Sequence, residues 1–156
     1  MIEISVPDFG NLCLSHLVLD YNGTLACDGR LVDGVKDELT RLSGSLDIYV
    51  VTADTFGKAQ AGLAGIPCEL TILPEEAQDK GKLDFINQLG ASRTASIGNG
   101  RNDRLMLEKS ALGIAVLLDE GASSAAITSA DVVCKDIVTA LKLLSHPLRL
   151  IATLRS

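Results

Sequence analysis

The chain has 156 residues and a formal net charge of −6, with 47% hydrophobic and 22% charged residues. This composition is typical of a single globular domain with a sizeable core, which we assign to residues 1–156. The acidic balance argues against nucleic acid as a partner, and an aromatic content of 3% leaves few stacking surfaces for single strands. No apolar run approaches the roughly 20 residues of a membrane span, and the N-terminus lacks the features of a signal peptide. We therefore expect a cytoplasmic protein with no membrane partner, whose four cysteines are reduced thiols rather than zinc ligands.

Six short apolar segments are predicted to be buried strands, and four amphipathic segments between them are predicted to be helices. The strands cover residues 14–20, 46–52, 68–73, 94–98, 113–118 and 131–134. The helices cover residues 34–44, 82–90, 103–111 and 136–145, the last of them capped by Asp136. Strands that alternate with helices in this way predict an α/β fold, with a doubly wound, mostly parallel sheet and flanking helices.

Two further segments lie outside this alternation. Residues 26–31 hold an Asp-Gly turn between short segments that can pair, which predicts a small hairpin. Residues 2–7 predict an additional strand at the edge of the sheet.

Polar side chains follow three of the predicted strands. In an open α/β sheet, ligands bind at the carboxyl ends of the strands, so these residues are candidates for a site. They are Asp20, Asn22 and Thr24 after the first strand, Thr52 and Asp54 after the second, and residues 98–103 after the fourth. Lys80 and Lys82 lie where the next helix begins. Carboxylates, hydroxyls and an ammonium group at one edge are what phosphoryl transfer requires, whereas Asp54 is expected to cap the segment 55–63.

The same residues form four motifs in the order found in one known family. They are Asp20-Tyr21-Asn22-Gly23-Thr24 for D-x-D-G-T, Thr52 ending an apolar strand, Lys82 or Lys80 opening a helix, and GNGRND with Asp103 for G-D-G-x-N-D. Over residues 14–117 the chain resembles the haloacid dehalogenase (HAD) superfamily of phosphohydrolases, and most of all its branch near the phosphorylation domain of P-type ATPases. The resemblance implies a HAD-like, Rossmann-type fold and a phosphorylated substrate of unknown identity.

The resemblance also implies a role for each matching residue. Asp20 would attack phosphorus and become an aspartyl phosphate, Thr52 would donate to a phosphate oxygen, and the lysine would neutralise charge. The Mg²⁺ ligands would be Asp20, the backbone carbonyl of Asn22, Asn99 and Asp103. The phosphate cradle would be lined by Tyr21, Gly23, Thr24 and Ala53.

Helical phase favours one of the two lysines. Counted from Lys82, the apolar residues Phe85, Ile86 and Leu89 fall at +3, +4 and +7, which gives the helix one buried face. Counted from Lys80, apolar residues fall at +3, +5, +6 and +9, which fits a helix with the lysine on its buried face less well. Chain spacing to the GNG segment resembles some P-type ATPases better with Lys80, so both remain candidates.

Two amides replace acids of the family pattern. Most family phosphatases carry Asp at the position of Asn22, where it protonates the leaving group and later activates water. An amide cannot move that proton, so Asn22 indicates slow turnover, a good leaving group or no turnover. Asn99 also stands where Asp is usual, which predicts weaker binding of Mg²⁺.

The intervals between the motifs leave no room for a separate cap domain. Asp20 and Thr52 are 32 residues apart, and Thr52 and Lys82 are 30 apart, which the helices of the sheet consume. The hairpin at 26–31 would then be a small flap over an open site. An open site accepts a large substrate or is closed by a neighbouring subunit, so we expect a homo-oligomer with the apolar C-terminal helix as a contact surface.

Two functions remain open at this point. The intact Asp20, Thr52, lysine and Asp103 favour a Mg²⁺-dependent phosphohydrolase that acts on phosphoric ester or anhydride bonds. The replacements at Asn22 and Asn99 favour a degenerate relative that binds phosphate, nucleotide or a protein partner without turnover.

Overall fold

A computed structural model describes residues 1–54 and 57–156. The two remaining residues begin the segment predicted to follow Asp54, so that part of the prediction lies outside the described residues. The strands are β1 Ile2–Val6, β2 Gly10–Leu14, β3 His16–Leu19, β4 Ala26–Cys27, β5 Arg30–Leu31, β6 Asp47–Thr52, β7 Glu69–Ile72, β8 Thr94–Gly98, β9 Leu112–Val116 and β10 Val132–Cys134. The helices are α1 Val35–Leu42, α2 Ala59–Gly62, α3 Gln78–Leu89, α4 Arg104–Lys109, α5 Ser124–Ser129, α6 Ile137–Ser145 and α7 Pro147–Leu154.

Six strands form one parallel sheet in the order β10-β9-β8-β3-β6-β7. The chain leaves β3 toward one edge and returns to β8, on the other side of β3, to continue toward the opposite edge. The strand order therefore reverses between β3 and β8, whose carboxyl ends pair Leu19 with Ile97. Such a switch point is where open α/β sheets bind ligands. The predicted doubly wound α/β fold is confirmed.

Helices cover both faces of the sheet, because its strands carry apolar side chains on both faces. Leu17 and Leu19 of β3 belong to a large cluster with α1, α2 and α6. Val18, between them, belongs to a second cluster that includes Ile86 of α3 and Met106 of α4. The site is thus built on a strand that is buried on both faces.

The N-terminal prediction is wrong in one respect. β1 is not an edge strand of the central sheet but pairs antiparallel with β2 in a separate two-stranded sheet. Its inward residues Ile4 and Val6 are buried, and so are Leu12 and Leu14 of β2. The alternation of exposed and buried residues suits a hairpin packed by one face, which is why β1 does not extend a sheet buried on both faces.

The helices agree with the predicted segments, with differences at their ends. Asp136 caps α6 as predicted, since its carboxylate accepts the backbone N–H of Thr139 at 2.6 Å. α3 begins at Gln78, four residues before the predicted start, which places Lys82 in its second turn. α5 has no counterpart among the predicted helices. It begins after Ser123, whose side chain accepts the N–H of Ala126 at 3.3 Å.

The predicted hairpin at 26–31 is present as β4 and β5, joined by Asp28 and Gly29, both with positive φ. We call this hairpin the flap. Between Thr52 and Lys82 the described residues hold only α2, β7 and the first turn of α3, in agreement with the predicted lack of a cap domain.

No single helix within the described residues is long and apolar enough to cross a membrane. Together α6 and α7 satisfy the length and composition criteria, but they are bent by 103° at the break between them.

Candidate functional site

Asp20 lies at the carboxyl end of β3, at the switch point of the sheet, and is 6% exposed. Its backbone N–H donates to the carbonyl of Ile97 at 3.0 Å, which continues the β3–β8 pairing one residue further. Its carboxylate Oδ1 accepts a hydrogen bond from the Lys82 Nζ at 2.7 Å. The sheet therefore fixes the backbone of Asp20, and an ion pair fixes its side chain.

Lys82 is the lysine that reaches the site. Its side chain is fully buried, and Nζ lies 2.6 Å from Asp103 Oδ1 as well as 2.7 Å from Asp20. Lys80 is exposed, because two residues along a helix turn a side chain by about 200°, away from the face that Lys82 shares with Ile86. The structure therefore brings Lys82, the lysine favoured by helical phase, to Asp20 and Asp103, and leaves Lys80 at the surface.

Asp103 is held rigidly by its own loop. Its Oδ2 accepts the backbone N–H groups of Asn99 at 2.9 Å and Gly100 at 2.8 Å. The same turn is joined to α3 by a hydrogen bond from Asn102 to Gln78 at 2.7 Å. Positioning of Asp103 and of Lys82 is thus coupled. We call Asp20, Lys82 and Asp103 the floor cluster.

Two carboxylates share one ammonium group in the floor cluster. Burial, together with the negative charge of Asp103, raises the pKa of Asp20 to about 6, although Lys82 opposes this shift. Burial alone would lower the pKa of Lys82, but the attraction of Asp20 and Asp103 outweighs it and holds the pKa above its usual range. The lysine therefore stays charged, and one negative charge of the cluster is left without compensation.

Asn99 connects three parts of the site through its side chain. Its Oδ1 lies 3.2 Å from the Thr24 hydroxyl, which is also 3.5 Å from Asp20 Oδ2. Its Nδ2 donates to the backbone carbonyl of Gly121 at 2.9 Å. A carboxylate at this position would place an oxygen against that carbonyl and could not donate to it. An amide therefore suits this contact better than a carboxylate. The sequence alone does not predict this contact.

The loop between β3 and β4, residues 20–25, packs directly against Asn99, and we call it the first loop. Gly23 has φ +77 and is buried, and a Cβ at this position would lie 2.8 Å from the Asn99 Cγ. Its N–H donates to the carbonyl of Ala26 at 2.7 Å, which closes the loop into a tight turn. Asn22, one residue earlier, is half-buried. The loop requires glycine both for its backbone conformation and for the space.

The remaining predicted cradle residues lie on the loops after β3 and β6. Thr52 is buried, and its hydroxyl accepts the backbone N–H of Asp54 at 3.2 Å. Asp54 Oδ1 in turn accepts the N–H groups of Lys58 at 2.9 Å and Ala59 at 3.0 Å, so Asp54 caps the start of α2 as expected. Ala53, between them, is half-buried, whereas the side chain of Tyr21 is fully buried. Only the backbone of Tyr21 can therefore serve a ligand.

A cavity of about 530 Å³ opens beside the first loop, and we call it the mouth. It is lined by Asn22, Asp28, Gly29, Lys58 and Glu120. Glu120 Oε1 accepts the backbone N–H of Asp28 at 2.8 Å, which joins the loop after β9 to the flap. The stem of Lys58 packs against the flap turn, since a Cβ on Gly29 would lie 2.5 Å from its Cδ.

The sequence analysis did not identify Glu120 or Lys58. For Glu120 a signal was present, because Asp119 and Glu120 follow the predicted strand 113–118 and acids after a strand are candidates by the rule used for the other strands. Lys58 carries no such signal, since its contact with the flap depends on the packing of α2.

The donors around the floor cluster fit a divalent cation. The uncompensated negative charge of Asp20 and Asp103 is buried, and the carbonyl of Asn22 accepts no backbone hydrogen bond from the described residues. Asn99 offers a neutral oxygen. All the predicted metal ligands therefore lie on the two loops that meet at the switch point.

Solved structures share this fold. The phosphatase for deoxy-D-mannose-octulosonate 8-phosphate from Haemophilus influenzae, in a cobalt-bound form, is 16% identical, with a TM-score of 0.68 and 89% of each chain covered. The corresponding phosphatase from Moraxella catarrhalis, in complex with magnesium, phosphate and KDO, is 15% identical, with a TM-score of 0.65 over 91% of this chain and 94% of that one. A Legionella pneumophila protein described as a HAD superfamily hydrolase of subfamily III A is 15% identical, with a TM-score of 0.68 over 90% and 87%.

Two curated proteins of Methanocaldococcus jannaschii are similar in sequence, and no family model matches the chain. Uncharacterized protein MJ0073 is 55% identical over 60 residues, which are 38% of this chain and 64% of that protein, so this chain spans less than two thirds of it. Uncharacterized protein MJ0072 is 49% identical over 39 residues, which are 25% of this chain and 89% of that protein. The chain therefore belongs to the same sequence family as MJ0072, and its fold is that of the HAD superfamily.

Proposed function

We propose that this protein is a Mg²⁺-dependent phosphohydrolase that works through an aspartyl phosphate on Asp20. The observation that carries the proposal is the floor cluster, in which a buried carboxylate at the switch point is held by Lys82 at 2.7 Å. A nucleophile needs one oxygen that is not tightly bonded, and the contact of Asp20 Oδ2 with the Thr24 hydroxyl is long, at 3.5 Å. The phosphatase activity named for the structural neighbours supports the same reaction class.

The first step of the proposed reaction uses Asp20 and Lys82, which lie 2.7 Å apart. An oxygen of Asp20 attacks phosphorus, and the bond from phosphorus to the leaving oxygen breaks with its electron pair on the leaving group. Lys82 keeps Asp20 ionised and balances the charge that collects on the phosphoryl oxygens. A bound Mg²⁺, held by Asp20, Asp103, Asn99 and the carbonyl of Asn22, would supply further positive charge to those oxygens. The backbone N–H of Asn22 would add a donor to the cradle, whereas the N–H of Gly23 already donates to the carbonyl of Ala26.

Asn22 determines which substrates this step accepts. No proton donor stands at the position from which family phosphatases protonate the leaving group, so the leaving group must depart as a stable anion. Acyl phosphates, aryl phosphates and phosphoanhydrides meet this condition, and simple sugar phosphates do so poorly. The proposal therefore predicts activity on acidic leaving groups, even though the neighbours are named for a sugar acid phosphate. P-type ATPases also carry no acid at the position of Asn22, and we include the similarity of this chain to them in the proposal.

A second candidate function is favoured by the same residues. Asn22 and Asn99 remove two negative charges and one proton carrier, which suits a protein that binds phosphate, nucleotide or a protein partner without turnover. The open mouth, without a cap among the described residues, is compatible with a large partner. A homo-oligomer that closes the site likewise stays a prediction.

The comparison of wild type with Asp20→Asn separates the two functions. With Mg²⁺ and p-nitrophenyl or acetyl phosphate, we expect phosphate release by wild type and a loss of at least about 10³-fold in Asp20→Asn, because the nucleophile is gone. Asp84→Asn, which alters an exposed acid on α3, is the matched control and should keep wild-type activity. Beryllium fluoride with Mg²⁺ should raise the melting temperature of wild type but not of Asp20→Asn. Equal release by both proteins would overturn the enzyme proposal and leave the binding function.

A further inference from the structure

Asn22 removes the usual proton carrier from the first loop, but a carboxylate lines the same cavity. Glu120 and Asn22 both face the mouth, which has a volume of about 530 Å³. Glu120 is exposed, so it can exchange protons with bulk water. Asn22 stands two residues after Asp20, so the mouth opens on the loop that carries the proposed nucleophile.

The loop that carries Glu120 is fastened to the floor of the site. Asn99 Nδ2 donates to the carbonyl of Gly121 at 2.9 Å, and the N–H of Ser123 donates to the carbonyl of Asn99 at 2.8 Å. At its other end the Glu120 carboxylate is held by the N–H of Asp28 in the flap at 2.8 Å. The carboxylate is therefore exposed to solvent but held in place, because its loop is bonded to Asn99 and its oxygen to the flap.

We propose that Glu120 is the general base for hydrolysis of the phosphorylated enzyme, an inference that depends on the proposed function. A water oxygen attacks the phosphorus of the aspartyl phosphate, and the bond from phosphorus to the Asp20 oxygen breaks with its electron pair returning to the carboxylate. The proton lost by the water passes to the Glu120 carboxylate. Inorganic phosphate leaves, and Glu120 returns the proton to solvent. No other reactant is needed.

The charged groups around Glu120 fit this role. Asp28 and Cys27 of the flap each place one atom within 4.8 Å of the carboxylate, and neither is a cation that would hold it in an ion pair. Lys58 lines the same cavity, and no salt bridge between it and Glu120 occurs among the described residues. Asp119 adds a further negative charge on the same loop.

The test separates formation of the phosphorylated enzyme from its hydrolysis. The protein is loaded with labelled acetyl phosphate and Mg²⁺, the excess is removed, and the covalent label on Asp20 is followed with time. In Glu120→Gln we expect formation at the wild-type rate and hydrolysis slower by on the order of 100-fold, because the amide still accepts the Asp28 N–H but takes no proton. Asp119→Asn removes the same charge one residue away and should hydrolyse at the wild-type rate.

A second substitution that restores hydrolysis would distinguish a general base at Glu120 from a residue that only holds the flap in place. Adding Asn22→Asp to Glu120→Gln supplies a proton acceptor from the first loop, and we expect hydrolysis to recover. Hydrolysis in Glu120→Gln at the wild-type rate would overturn the role of Glu120 while leaving the phosphorylated enzyme intact, and a loss in Asp28→Asn instead would assign the base to Asp28. If wild type acquires no label above the Asp20→Asn background, the proposed function fails, and the base fails with it.

Discussion

The floor cluster and the mouth are joined by the first loop, in which Asp20 and Asn22 are two residues apart, yet their charged groups differ in burial and pairing. Asp20, Lys82 and Asp103 are buried and bonded to one another at 2.6–2.7 Å. In the mouth, Asn22 is half-buried and Glu120 is exposed, and its carboxylate accepts a hydrogen bond from the Asp28 N–H. The floor keeps the charged groups of the family pattern, whereas the mouth has lost its acid on the first loop.

In family phosphatases one loop carries both the nucleophile and the group that moves protons. We propose that in this protein the floor cluster and the mouth divide these two tasks. Making the phosphoryl bond needs a fixed nucleophile and a cation, which burial supplies because it strengthens their attraction. Moving protons needs contact with water, which burial denies. A cluster that is good at the first task is thus a poor place for the second, and the two can change independently.

The largest expected effect comes from removing the shared cation of the floor. Lys82→Met leaves two buried carboxylates facing each other, so we expect the metal-free protein at pH 7.5 to lose about 3–5 kcal/mol of unfolding free energy. Urea denaturation with a chelator measures it. Lys80→Met, two residues away on the exposed side of α3, should stay within about 0.5 kcal/mol of wild type. A similar loss in both variants would contradict the pairing seen in the floor cluster.

A smaller effect follows from the raised pKa of Asp20. Because its folded-state pKa of about 6 exceeds the unfolded value of 3.8, the folded protein holds this proton longer, and stability falls as pH rises between the two values. A shift of about two pKa units corresponds to about 3 kcal/mol at most. In metal-free protein we expect wild type to lose stability relative to Asp20→Asn between pH 4 and pH 7, measured by denaturation at each pH. Parallel curves for the two proteins would show that Asp20 is not perturbed.

Replacing Asn22 of the first loop by an acid should restore proton transfer in the mouth and leave the floor cluster unchanged. Asn22→Asp should raise steady-state phosphatase turnover by about 10- to 100-fold, since a proton carrier returns. Asn87→Asp, an exposed amide on α3, adds the same charge without a role in the site. An intact Asn22→Asp protein with no gain over Asn87→Asp would show that proton transfer does not limit the proposed turnover.

The smallest effect concerns the loop that joins the two regions. Gly23→Ala must strain a backbone at φ +77 and push Asn99 aside, whereas Gly90→Ala strains a backbone at φ +95 with no atom within 4 Å. We expect each to cost about 1 kcal/mol of backbone strain and Gly23→Ala to cost about 1 kcal/mol more. Thermal denaturation compares them. Equal losses would mean that Asn99 yields without cost.

Much of the fold and of the site could be predicted from local pattern. The six sheet strands were each short apolar runs, and the floor residues followed them in the order of the motifs. Lys82 was favoured over Lys80 because a helix repeats every 3.6 residues, so phase alone decides which side chain shares a face with Ile86. The pairing of β1 was mispredicted, since a strand's partner depends on distant residues and not on its own pattern.

What the sequence by itself determined is the doubly wound sheet, the nucleophile candidate and the missing proton carrier, because each depends on residue type and spacing within one or two elements. Only the tertiary structure decided that Asn99 is bound to Gly121 and that Glu120 is bound to the flap, 92 residues away in the chain. These contacts are made when separate loops meet at one edge of the sheet. Such contacts depend on how the whole chain packs, so they cannot be predicted from the local periodicity of the sequence.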